Sequence, residues 1–229
     1  VEVRQAIAAA LNRTNVCNTV FLGQANPLWS IIPAGMAFHK DSFKIYGDAN
    51  YTFVREQLAK YGYNESHKLE LTLYYESSGH YPQSAEQAAV YKQDLEASGV
   101  ITIHLQGLDW ATYRAQRNAG TLQLYIYGWY PDYLDPDNFL FPFLHTDSNR
   151  WLGKPYSNPD MDVLLEQAQV ESDQGKRADL YADVQKMLAE DAPIVPIFQG
   201  KLYVVAKKNV KGIIIDPYML LRYWLIYKE

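Results

Sequence analysis

The feature that most constrains the fold is a regular alternation of strand and helix patterns between residues 68 and 129. Two helical segments, residues 84–99 and 109–120, end at Gly99 and Gly120 and separate three segments with the composition of strands. The strand segments are residues 68–75 (KLELTLYY), 100–106 (VITIHLQ) and 121–129 (TLQLYIYGW). Strands that alternate with helices at this spacing predict crossover connections and a parallel sheet, so we expect an α/β fold.

Local signals at the helix ends support this alternation. Ser84 and Gln87 have the spacing of a capping box, which predicts that Ser84 caps the first of these helices. Asp109 is the predicted N-cap of the next helix, and Asn158 before Pro159 predicts the start of a further one. Near its C-terminal end the chain again becomes strand-like, in the segments at 201–208, 210–216 and 220–228.

The first residues of the chain already have a helical pattern. Val3, Ile7 and Leu11 recur at helical spacing, and no Met or capping residue precedes them. We therefore expect that the sequence is a piece of a longer protein.

Composition and charge argue against several classes of function. Lys and Arg total 21 against 26 Asp and Glu, a net charge of −5, whereas a nucleic-acid-binding protein is expected to present a basic face. The five histidines and the single Cys17 fall in no metal-binding spacing, and no Gly-rich phosphate-binding motif or GxSxG nucleophile elbow occurs. We therefore predict no cofactor, no metal site and no catalytic residue. The 14% of aromatic residues, with 19 Tyr, instead favours a surface that holds an amphipathic ligand such as a peptide or a sugar.

The densest group of aromatic residues follows directly on the third predicted strand, at residues 125–143 (YIYGWYPDYLDPDNFLFPF). Ligands of open α/β sheets bind beyond the carboxyl ends of the strands, so a ligand site is expected here. Asp132 follows the strand end by three residues, and the aromatic side chains expected to wall it are Trp129, Tyr130 and Tyr133. A carboxylate in such surroundings becomes favourable when a cation pairs with it, and the α-amino group of a peptide fits this role.

Other charged residues nearby are open to a structural interpretation. The sequence LDPDNF is typical of a turn that enters a short helix, with Asp135 as its cap and Pro136 in its first turn, and Asp137 is likewise expected to be a turn or cap residue. Asp132 fits no cap position, and for it a turn role and ligand binding are both open. Arg114 and Arg117 share a face of the helix before the third strand, where one of them would either meet an anionic group or lie on a solvated surface.

Six segments follow one another in a characteristic order along nearly the whole chain: VRQAIAAALNR, YTFVREQLAKYGY, AEQAAVYKQDLEASGV, GWYPDYLDPDNF, YSNPDMDVLLEQA and RADLYADVQKMLAEDAPIVPIF. This succession resembles that of the solute-binding family 5 proteins, the extracytoplasmic receptors of bacterial and archaeal ABC importers for oligopeptides, dipeptides, nickel and some oligosaccharides. The resemblance implies an α/β, periplasmic-binding-protein-like (type II) lobe with a central mixed, mainly parallel sheet flanked by helices. It implies a transport receptor outside the cytoplasm and not an enzyme.

The resemblance also implies how the chain is organised and what it meets. It would be the C-terminal half of a two-lobed receptor, with residues 1–206 as the ligand-binding lobe and residues 207–229 returning to a missing N-terminal lobe. Its partners would be a peptide or oligosaccharide ligand and a membrane-embedded ABC permease, and no nucleic acid. The cleft wall and aromatic tail left exposed by the missing lobe predict self-association of the isolated chain.

Two of the predicted site residues gain a role from the resemblance. In peptide-binding members an aspartate just after the tryptophan of the GW strand end pairs with the ammonium group of the peptide, and Asp132 stands at that place behind Trp129. An arginine found just before the GW in some oligopeptide receptors corresponds to Ile126 here, so that anchor is absent. Arg117 matches another arginine of such receptors and is the remaining predicted anchor.

Two other functions are compatible with these residues. An oligosaccharide receptor of the same fold would use ring faces as stacking platforms, namely Trp129, Tyr130, Trp151 and Tyr156. A glycoside hydrolase would use two of Asp132, Asp135 and Asp137 as acid and base, but three aspartates within six residues are poorly placed to face each other across a substrate.

Overall fold

Helices and strands alternate along the chain in the computed structural model, which describes residues 1–153, 156–217 and 220–229, with Arg150 and Trp151 described in their backbone alone. The strands of the described residues are β1 (Ala25–Pro27), β2 (Leu69–Glu76), β3 (Ile101–Leu108), β4 (Leu124–Tyr125), β5 (Phe198–Gly200), β6 (Val210–Lys211) and β7 (Tyr227–Lys228). The α-helices are α1 (Glu2–Ala10), α2 (Arg13–Thr19), α3 (Tyr51–Ala59), α4 (Ser84–Glu96), α5 (Trp110–Asn118), α6 (Asp137–Leu144), α7 (Pro159–Val170) and α8 (Gln174–Asp191). This order of elements confirms the predicted α/β fold.

A parallel sheet of three strands, in the order β3-β2-β4, lies at the centre of the fold. β2 and β3 pair over their full lengths, with Leu69 opposite Ile101, whereas β4 pairs with β2 only at Leu73 and Tyr74. Leu69, Leu71 and Leu73 alternate with more exposed residues and are buried, as their spacing predicts. β3 lies on one side of β2 and β4 on the other, so the chain reverses its direction across the sheet after β3. In open α/β sheets a crevice forms beyond the strand ends at such a reversal of strand order.

The third strand is much shorter than the predicted residues 121–129. Only Leu124–Tyr125 pairs with β2, and the Ile126 backbone N–H adds one hydrogen bond to the Tyr74 carbonyl at 3.2 Å. The hydroxyl of Tyr113 then donates to the Ile126 carbonyl in place of a neighbouring strand. The strand prediction was wrong for residues 121–123 and from residue 126 onward: the ladder forms only at Leu124–Tyr125, and beyond the Ile126 N–H a side chain satisfies the backbone.

The helix ends confirm two predicted caps and correct a third. Asp109 and Asn158 each accept two backbone N–H bonds, at the starts of α5 and α7. The predicted capping box at α4 is absent: Gln83 precedes the helix in the left-handed conformation, with φ 52°, and no side-chain cap bond is formed. Because the chain enters α4 through this residue, Ser84 lies already inside the helix, and Gln87 donates to a carbonyl of the preceding loop.

The helices that surround the sheet bury a shared apolar core. α1 packs against α3, α4 and α8, and its residues Ala6 to Ala10 are buried. α7 packs against α8 and α6, and these three helices follow the segment that carries Asp132. Among the residues that the structure describes, no helix combines the length and apolar character needed to cross a bilayer.

The C-terminal segment has less regular structure than its sequence pattern predicts. Of the strand-like segments beyond residue 200, only the two-residue antiparallel pair of β6 and β7 forms, and residues 201–207 are irregular. Tyr203, Tyr223 and Trp224 are exposed. A strand needs a partner for its backbone groups, and in the described part of this segment the Lys201 backbone N–H donates to the Gln24 carbonyl at 3.2 Å, while the strand pairing that forms is the one between β6 and β7.

Candidate functional site

A wide groove of about 2770 Å³ opens where the parallel strands end. Its lining includes residues that follow each strand: residues 79–83 after β2, Trp110 after β3 and residues 126–132 after β4. Of the five residues predicted for a peptide site, Arg117, Trp129, Tyr130 and Asp132 are among the lining residues and Tyr133 is not. The groove is therefore where the rule for ligand sites of open α/β sheets places it.

Asp132 lies at this groove as an exposed residue. Within the described part of the chain, its carboxylate has no hydrogen bond and no ion pair. Its backbone N–H donates to Oδ1 of Asn138 at 3.1 Å, which holds the main chain while the side chain stays open to the groove. The site therefore presents one acceptor-only group without an internal partner.

The three predicted wall residues differ in how firmly they are held. Trp129 is half-buried, packs edge to face on Phe143 with ring centres 5.0 Å apart, and donates its indole N–H to Asn138 Oδ1 at 2.9 Å. Tyr130 and Tyr133 are 56% and 46% exposed. Trp129 is thus held by both its ring and its indole N–H, Tyr133 is held through its hydroxyl, which donates to Asp137, and Tyr130 is the most exposed of the three.

The other two aspartates of this segment have structural partners. The predicted cap at Asp135 is corrected, because Pro136 is the N-cap of α6 and forms no side-chain cap bond; Asp135 Oδ1 instead accepts from the Asp137 backbone N–H at 2.9 Å in the turn before the helix, and Asp135 also pairs with Arg177. Asp137 accepts from the Tyr133 hydroxyl at 2.6 Å and from Gln169 Nε2 at 2.8 Å. Carboxylates engaged in this way are poor candidates for acid and base, so the geometry gives no support to a glycoside hydrolase.

Arg117 is buried on the groove side of α5, with only 3% of its surface exposed. Its guanidinium carbon lies 4.8 Å from the ring centre of Tyr127 and 6.0 Å from that of Trp110, and Nη2 donates to Asn118 Oδ1 at 3.2 Å. Its Nε has no hydrogen-bond partner, and no acidic side chain of the described residues pairs with it. A buried cation held by ring faces, with a donor left over, is suited to an incoming anionic group.

Arg114, one turn earlier on α5, lines the same groove but is exposed. Its charge is therefore solvated, whereas that of Arg117 is not. The spacing of the two arginines predicted that they share a face of the helix. In the structure Arg114 is exposed on this helix and Arg117 is buried.

The loop after β2 is held by a buried carboxylate that the sequence did not single out. Glu76 is 1% exposed and accepts backbone N–H bonds from residues 78 to 81, together with the Ser78 hydroxyl. Burial raises the pKa of Glu76, but the Ser78 hydroxyl and these N–H groups lower it more, so the pKa lies below its ordinary value. Glu76 thus fixes His80 and Tyr81 in the groove.

These two side chains complete an aromatic wall beside Arg117. The His80 ring stacks on Trp110 with centres 3.5 Å apart, and Tyr81 meets Trp110 edge to face at 5.9 Å. Burial and the neighbouring Tyr127 together raise the pKa of Tyr81 to about 12, although Arg117 opposes the shift. Sequence reasoning missed His80, Tyr81 and Trp110, although applying the strand-end rule to β2 and β3 as well as β4 would have indicated them.

The residues named for sugar stacking are only partly described. Tyr156 is half-buried at the groove and donates its hydroxyl to Asp191, and this carboxylate and burial raise the pKa of Tyr156. The side chain of Trp151 lies outside the described residues. Among the described residues, no group of three or more His, Cys, Asp or Glu is arranged to hold a metal ion.

Solved structures with this fold define the class of protein. The chain aligns with the Escherichia coli murein tripeptide binding protein MppA over 99% of its length and 45% of that chain, at 26% identity and a TM-score of 0.85. It also shares the fold of a dipeptide binding protein from Pseudoalteromonas sp. SM9913, solved in complex with Met-Leu, with a TM-score of 0.86 at 23% identity over 100% of this chain and 45% of that one. The fold is that of the periplasmic binding proteins.

Sequence comparison gives the family. Residues 1–151 match the family model described as bacterial extracellular solute-binding proteins, family 5 Middle, and the chain belongs to this family. It is 28% identical to a dipeptide-binding protein of Pseudomonas aeruginosa PAO1 over 225 residues, 95% of this chain and 40% of that protein. It is 26% identical to the peptide transport periplasmic protein SapA of Haemophilus influenzae, over 99% of this chain and 40% of SapA. The chain therefore spans about two fifths of the length of these curated relatives.

Proposed function

We propose that this chain is the C-terminal, ligand-binding half of the substrate-binding receptor of an ABC importer, and that its ligand is a short peptide with a free amino terminus. The observation that carries the proposal is the exposed Asp132 carboxylate, which has no partner within the described residues and lies at the groove beside Trp129. Relatives whose names state dipeptide binding or peptide transport support it.

The chemistry of the groove fits a peptide terminus. An ammonium group offers three donors, and a carboxylate that accepts them in a groove walled by an aromatic ring is less screened than one in open water. The groove also contains Arg117, whose buried guanidinium has an Nε donor without a hydrogen-bond partner and would donate to a carboxylate of the ligand. Negative and positive groups in one groove suit a ligand that carries both charges.

The proposal includes an arrangement of lobes. Residues 1–206 would form the lobe that carries the groove, and residues 207–229, with exposed Tyr223 and Trp224, would pack on an N-terminal lobe. Closure of the two lobes by a hinge would bury the ligand, and the ligand would stabilise the closed state. The protein would act outside the cytoplasm as a receptor without catalytic activity, deliver its ligand to a membrane-embedded permease, and, as an isolated lobe, associate with itself through the exposed surfaces.

The test is the substitution Asp132→Asn in the full-length two-lobed protein. Isothermal titration with one peptide in free-amine and N-acetylated forms should show a loss of at least tenfold in affinity for the free amine and little change for the acetylated form. Asp147→Asn, which neutralises an exposed aspartate of the same region, is the matched control and should change neither. Equal losses for both peptide forms would refute the ion pair.

The same variant addresses the oligosaccharide alternative. Sugars bind by ring stacking and neutral hydrogen bonds, so their binding would survive Asp132→Asn. Glycan-array hits that persist in this variant, together with no measurable peptide binding, would favour a sugar receptor.

A further inference from the structure

Asn138 is a buried amide at the junction of the candidate site residues. It is the second residue of α6 and only 3% exposed. Its Oδ1 accepts two hydrogen bonds, from the indole Nε1 of Trp129 at 2.9 Å and from the backbone N–H of Asp132 at 3.1 Å. One side-chain oxygen therefore fixes the distance between the ring wall and the main chain that carries the free carboxylate.

The third residue of this group is held beside Asn138. The hydroxyl of Tyr133 donates to Oδ2 of Asp137 at 2.6 Å, and Asp137 directly precedes Asn138 in α6. An amide oxygen has two lone pairs, so Asn138 Oδ1 can accept the bonds from Trp129 and Asp132 at once. Among the described residues, no other side chain hydrogen-bonds both Trp129 and Asp132.

The segment between β4 and α6 needs such a support. β4 ends at Tyr125, and residues 126–136 contain no helix or strand, so the sheet does not hold Asp132. A site is precise only when the residues behind it fix its geometry. The two hydrogen bonds to Asn138 hold this segment in place, as additional backbone pairing would if β4 were longer.

We infer that Asn138 is the positioning residue of the Asp132 site: it holds Trp129 and the Asp132 main chain in one geometry, so that a ligand ammonium meets a preorganised carboxylate. This rests on the proposed function, since it concerns the same ion pair. Asn138 does not touch the ligand in this scheme. Without the Asn138 side chain, Asp132 would keep its charge, but ligand binding would have to order residues 126–136, which would lower the affinity.

The inference is tested by comparing three variants of the full-length protein. Asn138→Ala removes the acceptor without adding bulk, Asn138→Asp keeps an acceptor oxygen, and Asn149→Ala removes another buried amide, one that donates to the Tyr156 carbonyl and bonds neither Trp129 nor Asp132. The first readout needs no ligand: hydrogen exchange of the Trp129 indole N–H and the Asp132 backbone N–H, observed by NMR. We expect exchange at least tenfold faster in Asn138→Ala, and near wild-type rates in Asn138→Asp and Asn149→Ala.

The second readout is the preference for free-amine over N-acetylated peptide. It should fall about tenfold in Asn138→Ala and stay unchanged in Asn149→Ala. If Asn138→Ala does not fold, Asn138→Asp still tests the inference. Its acceptor oxygen should keep hydrogen exchange of the Trp129 indole N–H and the Asp132 backbone N–H at near wild-type rates. Faster exchange of these two groups in Asn138→Asp would show that the acceptor oxygen does not hold the segment.

The outcomes separate this inference from the proposed function. If Asp132→Asn abolishes the preference while Asn138→Ala retains both preference and slow exchange, the positioning role is overturned and the proposed function stands. If Asp132→Asn retains the preference, the ammonium site fails, and the role of Asn138 toward it fails with it.

Discussion

The carboxylate of Asp135 and the guanidinium of Arg177 form a bidentate ion pair, with both N–O distances at 2.8 Å. Arg177 also donates its Nε to the Ala168 carbonyl, so one side chain of α8 ties the end of α7 to the segment that carries Asp132. The pair is partly buried, with 15% of the Arg177 side chain and 29% of the Asp135 side chain exposed. It is thus a fixed contact of the fold, and both residues line the groove of the candidate site.

Removing one partner of this pair should destabilise the protein. We expect Arg177→Met to lower the free energy of unfolding by about 1–3 kcal/mol, because it leaves the Asp135 carboxylate partly buried and unpaired. The matched control is Lys186→Met, whose exposed pair with Glu190 spans 4.0 Å and should contribute less than about 0.5 kcal/mol. Urea unfolding measures both, and equal effects for the two variants would contradict the role of the buried pair.

The effect of Arg177→Met should also depend on pH. Burial raises the pKa of Asp135, but Arg177 and the Asp137 backbone N–H lower it more, so the pKa lies below its ordinary value of 3.8. A depressed pKa in the folded state means that the stabilisation is present above pH 3.8 and is lost as the pH falls through the folded value. The difference between wild type and variant should therefore be constant near neutral pH and shrink below pH 3.8.

The buried charge of Arg117 should favour ligand binding at the expense of stability. Because Arg117 has no acidic partner within the described residues, Arg117→Met should leave the free energy of unfolding unchanged or raise it. Affinity for a peptide with a free carboxyl terminus should fall about 10- to 100-fold, as for a lost charged hydrogen bond, and affinity for the C-terminal amide should fall less. Arg114→Met, the exposed neighbour, should have a smaller effect; a loss of stability without any loss of affinity would assign Arg117 a purely structural role.

Asp94 should make stability depend on pH in the opposite sense to Asp135. It is 4% exposed on α4, its Oδ2 accepts from the Asn12 backbone N–H at 2.9 Å, and burial raises its pKa from 3.8 to about 6. A raised pKa in the folded state gives a stabilising contribution that is complete below pH 3.8 and is lost as the pH rises through about 6. Wild type should gain up to about 3 kcal/mol relative to Asp94→Asn between pH 7 and pH 3.8.

Urea unfolding of both proteins across this range measures that difference. Asp179→Asn replaces an exposed aspartate on α8 and should show no comparable trend. A difference between wild type and Asp94→Asn that is independent of pH would show that the Asp94 carboxylate titrates normally.

Gly153 should tolerate no side chain, because it approaches the backbone of α5. Its φ is +73°, and a Cβ built on it would lie 1.4 Å from the carbonyl oxygen of Arg117. Gly153→Ala should therefore cost about 3 kcal/mol or more and displace the end of the helix that carries Arg117. Gly23 has a similar φ of +77° with no atom within 4 Å of its Cβ position, so Gly23→Ala should cost only about 1 kcal/mol in strain. Similar thermal stabilities of the two variants would mean that the segment at Gly153 moves away without cost.

Several features of this protein were determined by the sequence alone, because they depend on neighbouring residues. The alternation of Leu69, Leu71 and Leu73 predicted β2, and the caps at Asp109 and Asn158 predicted the starts of α5 and α7. The order of strands and helices predicted the parallel sheet, and hence that the segment after β4 would line a groove. The succession of segments was enough to indicate the family.

The identity of the groups free to bind a ligand was decided only by the tertiary structure. Three aspartates stand within six residues, but Asp135 is paired with Arg177, 42 residues away, and Asp137 with Gln169, 32 residues away, whereas the Asp132 carboxylate has no partner among the residues that the structure describes. In the same way, burial made Arg117 differ from Arg114, although both lie on one face of α5. Local patterns set the backbone and its capping bonds, whereas the partner of each charge depends on which distant elements the fold brings beside it.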